Sequence, residues 1–284
     1  MLKRTLTSIA IIVVVVGFFL LRHYVDVRLF NVLVLFMAFL SACELTRALG
    51  GRVSDGQKVV TLVFPLAAVG IATFFRDFIW IFSLLYIFTA IIWSSLEKEA
   101  SLERTAFTLL AMFYPVVPLC SLCSINVMGS DTSTFVLASV MAISAFTDAA
   151  AYIFGSLIKG PKLCPEISPN KTISGAIGGL AGGVIASFAV YYGLNALGIK
   201  AFADTSLGNF TGRINVNVIL FLVVSGLLLS FATQAGDIFE SFIKRKLDIK
   251  DMGNIMPGHG GMLDRIDGLT FNSVIALTLY SFLA

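Results

Sequence analysis

The chain has 284 residues, of which 57% are hydrophobic and 13% carry a charge, and its formal net charge is +3. Soluble domains carry roughly twice that charged fraction, so this composition, with a mean hydropathy of +0.92, excludes an ordinary soluble domain. The apolar residues come in runs long enough to cross a bilayer, which takes about 20 helical residues. The sequence therefore predicts a polytopic membrane protein.

Nine apolar segments predict an all-α fold, a membrane helix bundle of about nine transmembrane helices. They cover residues 5–21, 29–46, 59–75, 78–94, 105–127, 134–158, 173–197, 215–236 and 269–283. The first segment follows Lys3 and Arg4 as in a signal peptide, but no small-residue cleavage site precedes Arg22. We therefore expect this segment to be the first transmembrane helix.

The basic residues predict the orientation of these helices. With the N-terminus in the cytoplasm, 15 of the 20 Lys and Arg residues fall on the cytoplasmic side and five fall outside, in agreement with the positive-inside rule. The C-terminus is then outside, and two unusual loops, 159–172 and 237–268, face the cytoplasm. We expect an integral protein of the cell (inner) membrane. We also expect a division into a five-helix scaffold, 1–133, and a C-terminal region of four helices and both loops, 134–284, to which the functional residues discussed below belong.

Glycines recur every four residues in the seventh segment, at Gly175, Gly179 and Gly183. Such a small face lets another helix approach closely. The approaching helix belongs either to the same bundle or to a second copy of the chain in a homodimer. Packing within the bundle is the favoured interpretation.

Two charged residues near segment ends are interpreted as ordinary boundary residues. Glu44 lies near the inner end of the second segment, where snorkelling or pairing with Arg47 explains it. Lys159 lies at the end of the sixth segment, where snorkelling is also sufficient. Neither residue indicates a function.

Charged residues and glycines interrupt the apolar sequence in the stretch 233–268. On a helix that continues the eighth segment, Asp237, Glu240, Ser241 and Lys244 share one face. A carboxylate at the membrane boundary, such as that of Asp237, is costly unless it has a partner. A simple salt bridge and a functional site explain Asp237 equally well.

The acids further along the chain favour a functional site. Asp264 and Asp267 are three residues apart, so a helical turn points both the same way. Neighbouring carboxylates repel each other unless a cation lies between them. With Asp237 arriving from the preceding helix, three oxygen donors converge, which suits Mg²⁺. The sequence therefore predicts a metal site formed by Asp237, Asp264 and Asp267.

The segment before Asp264 contains groups that suit phosphate. Gly258, Gly260 and Gly261 let the backbone approach a ligand closely, and His259 is either a hydrogen-bonded structural residue or a phosphate contact. Four basic residues bind either phosphate groups or anionic lipid headgroups. They are Lys244, Arg245, Lys246 and Lys250. A generic lipid anchor does not need interleaved Asp and Gly, so phosphate binding is favoured.

A second group of candidates lies in and before the loop 159–172. Asp148 is another acid within an apolar segment, and such acids are functional candidates by default. The loop adds candidate helix caps, phosphate ligands and mobile cations. They are Lys162, Ser168, Lys171 and Thr172. A rigid proline turn with snorkelling lysines explains the prolines of the loop but not Asp148.

These motifs together resemble a known family. The pattern Ser241-Phe-Ile-Lys-Arg, four residues, Lys-Asp, then Pro257-Gly-His-Gly-Gly-Met-Leu-Asp-Arg-Ile-Asp267 resembles the C-terminal motif of phosphatidate cytidylyltransferases, or CDP-diacylglycerol synthases. The stretches 148–155 and 168–172 are similar to the same family. The similarity covers about residues 140–284. One departure is Ser174, where the family commonly has Glu.

The resemblance implies transfer of CMP from CTP to phosphatidate, with Mg²⁺ and a second, monovalent cation such as K⁺. It implies CTP, phosphatidate and membrane lipids as partners, and no nucleic acid. Asp237, Asp264 and Asp267 would hold the metal, and Lys244 and Arg245 would neutralise phosphate charge at the catalytic centre. The expected substrate-binding residues are Asp148, Lys162, Ser168, Lys171, Thr172, Ser241, Lys250, His259, Gly260, Gly261 and Arg265.

Two other function classes are compatible with some of these residues. A CTP-using polyprenol or phytol kinase would transfer the γ-phosphoryl group to an alcohol and release CDP. A transporter or ion channel would use Asp148 and Asp237 as intramembrane binding sites. These acids lie toward the cytoplasmic ends of their segments, and the sequence has no internal repeat of the kind that many transporters show. Both points disfavour transport.

Overall fold

The computed structural model describes residues 2–97, 100–202, 205, 207, 216–256 and 260–282 of the protein. Within these ranges the chain is largely helical, as its hydropathy predicts. The α-helices are α1 (Leu2–Tyr24), α2 (Leu29–Leu49), α3 (Asp55–Phe74), α4 (Ile79–Leu96), α5 (Leu102–Val127), α6 (Asp131–Ile158), α7 (Ile173–Ala196), α8 (Val216–Lys246) and α9 (Leu263–Ser281). Each of them overlaps one of the nine apolar segments.

Seven helices of the described chain, α2 to α8, are long and apolar enough to cross a membrane. A transmembrane helix satisfies its backbone hydrogen bonds internally and turns apolar side chains toward lipid. On α4, Trp80, Phe88 and Ile92 are each more than half exposed, which leaves a face for lipid chains to cover. The protein is therefore an integral membrane protein built as a helix bundle.

A short antiparallel hairpin between α6 and α7 was not predicted. Its strands are β1 (Lys162–Cys164) and β2 (Ser168–Thr172), with Lys162 opposite Thr172 and Cys164 opposite Ser168. Three- and five-residue strands show little of the alternation that identifies a longer strand, and proline inside a strand normally argues against one. The all-α prediction fits the largely helical chain, and the hairpin is a local feature of the predicted loop 159–172.

The chain divides into two compact units. The first contains residues 1–127 and 246–266, and the second contains residues 128–245 and 267–284. This division differs from the boundary expected after residue 133, because 246–266 group with the N-terminal helices.

Buried polar contacts join four helices of the first unit. The Arg22 Nε donates to Asn126 Oδ1 at 2.6 Å, and the Asn126 amide donates to Asn31 Oδ1 at 2.8 Å. The Asn31 amide in turn donates to Thr73 Oγ1 at 2.9 Å. Polar groups in an apolar interior are costly unless they are paired. This network therefore specifies how α1, α2, α3 and α5 align.

The glycine face of α7 packs within the second unit. A Cβ on Gly182 would lie 2.5 Å from the Ala150 Cβ on α6. A Cβ on Gly183 would lie 2.5 Å from the Ser230 Cβ on α8. The Ser230 hydroxyl also donates to the Gly179 carbonyl at 2.9 Å. Close approach of this kind needs small residues, so the prediction of packing within the bundle is confirmed.

Candidate active site

The second unit contains an open cavity of about 490 Å³ between α6, the hairpin, the start of α7 and α8. This volume lies in the range of small-molecule sites, about 300–1,000 Å³. Its polar lining residues are Asp148, Tyr152, Ser156, Asn170, Lys171, Thr172, Gln234 and Asp237. Four residues predicted from the sequence, Asp148, Lys171, Thr172 and Asp237, therefore meet in one cavity.

Lys171 and Asp237 form an ion pair at the cavity wall. The Lys171 Nζ lies 2.7 Å from Asp237 Oδ2, and the two side chains are 23% and 36% exposed. Lys171 is near the end of β2, and Asp237 follows the long apolar part of α8. The sequence allowed either a salt bridge or a functional site at Asp237, and the salt bridge is present. Both residues line the cavity, and the Lys171 Nζ itself is buried against its partner.

The carboxylates of Asp237 and Asp148 also influence the pKa of Asp267. Burial, together with the negative charges of Asp237 and Asp148, raises the pKa of Asp267 well above its usual range. The Lys244 charge and the Gly268 N–H, which donates to Oδ1 at 2.7 Å, offset part of this shift. Burial penalises the charged form of a carboxyl group, and nearby negative charges add to that penalty. The raised pKa means that the Asp267 carboxyl holds its proton more tightly than an exposed one does.

Two predicted catalytic cations, Lys244 and Arg245, have partners within the protein. Lys244 forms an ion pair with Glu240, whose side chain is fully buried one turn earlier on α8. The Arg245 Nε donates to the Ile167 carbonyl, between the two strands of the hairpin, at 3.2 Å. Glu240 was not predicted as a site residue, although its spacing from Lys244 is that of an (i, i+4) pair. Arg245 therefore ties the hairpin to the end of α8.

Asp264 belongs to the first unit, where its carboxylate holds the loop that precedes α9. Its Oδ2 accepts the N–H groups of Met252 at 2.9 Å and Gly261 at 2.8 Å. Gly260 has φ +83°, and a Cβ on it would lie 2.9 Å from that oxygen. The backbone freedom of Gly260 thus serves the turn itself. Asp264, predicted as a metal ligand, also organises this loop.

The interpretation of Glu44 as a boundary residue was wrong. Its side chain is 1% exposed, and its carboxylate accepts the N–H groups of Met262 and Leu263, both at 2.9 Å. Among the described residues no ion pair joins it to Arg47. The cue in the sequence was a carboxylate within an apolar segment, the same cue that identified Asp148.

The remaining residues of the hairpin region have structural contacts. Thr172 is the N-cap of α7, and its hydroxyl accepts the Gly175 N–H at 3.1 Å, which confirms it as a helix cap. Ser174, the departure from the family pattern, donates to the Lys159 carbonyl. Lys162 and Ser168 are paired strand residues and are not part of the cavity lining.

Other predicted substrate-binding residues lie apart from the cavity lining. Lys250 and Arg265 are exposed, Ser241 is half-buried on α8, and Gly261 is buried in the first unit. His259 lies outside the described residues. Their roles toward a substrate stay predictions.

The acidic residues fit a divalent cation in kind but are not assembled around one. In the part of the chain that the structure describes, no group of three or more His, Cys, Asp or Glu side chains could hold a metal ion. The site of Asp237, Asp264 and Asp267 therefore stays a prediction. Carboxylate oxygens are the donors that Mg²⁺ prefers, so the residue types alone support this prediction.

Together, the helix bundle and the cavity define an integral membrane protein with a site of mixed carboxylates and amines suited to charged ligands. The sequence profile of the cytidylyltransferase family matches residues 2–283. The chain belongs to this family.

Curated relatives are similar to part of this chain. The phosphatidate cytidylyltransferase of Brucella suis biovar 1 (strain 1330) is 42% identical over 154 residues, which are 54% of this chain and 47% of the relative. The phosphatidate cytidylyltransferase of Staphylococcus aureus (strain COL) is 44% identical over 125 residues, 44% of this chain and 41% of the relative. The chain thus spans less than half the length of these relatives.

Proposed function

We propose that this protein is a phosphatidate cytidylyltransferase, a nucleotidyltransferase of phospholipid biosynthesis that forms CDP-diacylglycerol. The observation that carries the proposal is its similarity to relatives named for this activity. The cavity with Lys171 and Asp237 supports it, because transfer between two phosphate compounds needs cations for the phosphates and carboxylates for a metal ion.

The proposed reaction joins two polyanions. A phosphate oxygen of phosphatidate, already anionic near neutral pH, attacks the α-phosphorus of CTP and forms a new P–O bond. The bond from the α-phosphorus to the bridging oxygen of the β-phosphate breaks, and pyrophosphate leaves with that electron pair. No strong general base is needed, so the protein contributes mainly positioning and charge neutralisation.

The cavity and the end of α8 supply residues for these tasks. The Lys171 ammonium would exchange its contact with Asp237 for a phosphate oxygen of the substrate. Lys244 and Arg245 follow Asp237 on α8 by about two turns, and they would add positive charge against the triphosphate. Thr172 lines the same cavity, and its hydroxyl would donate to a phosphate oxygen.

The proposal includes Mg²⁺ and a second, monovalent cation such as K⁺. Asp237, Asp264 and Asp267 would hold Mg²⁺ through hard oxygen atoms. When bound, the ion would supply neutralisation of the charge on the phosphates.

We also infer that all nine helices cross the cell (inner) membrane, with the N-terminus in the cytoplasm and the C-terminus outside. The 15 to 5 distribution of Lys and Arg supports this orientation. The active site then faces the cytoplasm, where CTP is available. Phosphatidate would enter sideways from the inner leaflet with its acyl chains still in lipid. A homodimer would need a surface other than the α7 glycine face, which packs against α6 and α8.

Product identity tests the proposed function. Purified protein would be given phosphatidate, Mg²⁺ and CTP labelled at either the α- or the γ-phosphate. We expect the α-label in a lipid product and the γ-label in pyrophosphate, with no lipid labelling when phosphatidate is omitted. A γ-labelled lipid together with released CDP would refute the proposal in favour of a lipid kinase. Phosphatidate-independent ion flux in proteoliposomes, without either product, would favour a transporter.

A further inference from the structure

Glu44 makes long-range contacts that the proposed chemistry does not yet use. It is on α2, 218 residues before Met262 in the sequence, and its two carboxylate oxygens accept the N–H groups of Met262 and Leu263. Leu263 is the first residue of α9, so Glu44 caps that helix from another part of the chain. The first amides of a helix have no acceptor inside the helix, and a carboxylate satisfies them strongly.

Two glycines make room for this carboxylate. A Cβ on Gly253 or Gly261 would lie 2.5 Å from an oxygen of Glu44, a distance at which something must move. Gly253 and Gly261 therefore both lie directly against the buried carboxylate. The glycines at these two positions are required by Glu44 itself, independently of any ligand.

Glu44 and Asp264 hold the same loop. Asp264 accepts from the N–H groups of Met252 and Gly261, and Glu44 accepts from those of Met262 and Leu263. Four backbone amides are thus held by two carboxylates, at 2.8 to 2.9 Å. Asp264 is the second residue of α9, and Glu44 accepts the N–H of the first residue, Leu263.

We propose that Glu44 is a positioning residue for cytidyl transfer, holding the loop 252–263 and the start of α9, and with them Asp264, in the arrangement that turnover requires. The inference rests on the proposed function for its link to turnover. Glu44→Gln keeps the size of the side chain but turns an amide group toward one of the two N–H donors. The loop then loses a charge-assisted hydrogen bond and gains a donor-to-donor contact.

Hydrogen exchange and steady-state kinetics on the full chain in detergent test this proposal. We expect faster exchange in peptides covering 252–263 of Glu44→Gln, with other peptides unchanged. We also expect kcat to fall about tenfold or more, while the KM for CTP changes less than about threefold. Glu103→Gln is the matched control, because Glu103 is exposed in the first turn of α5, and it should match the wild type in both measurements.

A second variant displaces the carboxylate without altering it. The methyl group of Gly261→Ala would push against Glu44, so this variant should reproduce the exchange pattern of Glu44→Gln. Its control is Gly51→Ala, since a Cβ on Gly51 would have nothing within 4 Å.

Several results would overturn the proposal. Unchanged exchange over 252–263 in both test variants would mean that Glu44 does not hold the loop. Equally faster hydrogen exchange in all peptides would show that Glu44 stabilises the protein in general. A normal kcat together with faster exchange in 252–263 alone would remove the link between Glu44 and turnover. If the wild type forms no CDP-diacylglycerol, the proposed function fails, and the exchange comparison still decides whether Glu44 holds the loop.

Discussion

The Lys171 ammonium lies 2.7 Å from the Asp237 carboxylate, in a cavity that Asp148 also lines. Lys171 belongs to the hairpin and Asp237 to α8. Because their charges are opposite, each partly neutralises the other. In the proposed reaction, a phosphate that enters the cavity would compete with Asp237 for Lys171. Both side chains are therefore expected to matter for turnover as well as for stability.

Replacement of Lys171 by Met should reduce kcat/KM for CTP by about 100-fold or more, a loss of ~2.7 kcal/mol in transition-state stabilisation. The variant removes the cation that we propose binds phosphate, and it breaks the ion pair with Asp237. Lys159→Ala is the control, because Lys159 is exposed at the end of α6, and it should stay within about twofold of the wild type. Initial rates of CDP-diacylglycerol formation are measured for both variants. Equal losses in the two variants would contradict the assignment of Lys171.

Removal of divalent ions with EDTA should abolish activity, and Mg²⁺ should restore it. In Asp237→Asn, we expect the Mg²⁺ concentration for half-maximal rate to rise about tenfold or more, because a hard cation loses a carboxylate ligand. Asp131→Asn serves as the control, since Asp131 is exposed in the first turn of α6. A Mg²⁺ requirement for Asp237→Asn equal to that of the wild type would remove Asp237 from the metal site.

Asp264→Asn should abolish activity, with a loss of more than about 100-fold, while the protein stays folded and inserted. Asn keeps an oxygen that can accept from Met252 or Gly261, so the loop should survive the loss of charge. Size-exclusion elution and thermal unfolding check folding, and the cytidylyltransferase assay checks turnover. Normal turnover in this variant would show that Asp264 is not a metal ligand.

Gly182→Ala should destabilise the second unit by about 1–3 kcal/mol, the usual cost of overpacking. Its methyl group would lie 2.5 Å from the Ala150 Cβ and 2.8 Å from the Phe146 carbonyl oxygen. The matched control is Gly193→Ala on the same helix, where a Cβ would have nothing within 4 Å. That variant should be neutral or slightly stabilising, because Ala favours helix by up to ~1 kcal/mol over Gly. Thermal unfolding in detergent compares them, and equal midpoints would contradict the close packing.

Local patterns were sufficient to predict the helices and part of the cavity. A run of about 20 apolar residues specifies a helix in a membrane because its backbone hydrogen bonds close within the run. The cap at Thr172 and the packing of the α7 glycines also depend on short spacings, and both were predicted. Asp148 and Asp237 were recognised because a carboxylate in an apolar segment stands out in the sequence alone.

The features that were missed depend on contacts that hydropathy and residue spacing do not reveal. The hairpin is held by pairing across a turn, which its prolines and lysines do not reveal. Glu44 resembled a boundary residue until its contacts with Met262 and Leu263 were seen. Hydropathy and residue spacing determined the class of protein and its helices, because those forces act within a segment. Only the tertiary structure decided which carboxylates face a cavity and which hold the backbone, because a buried charge takes the donors that folding brings to it.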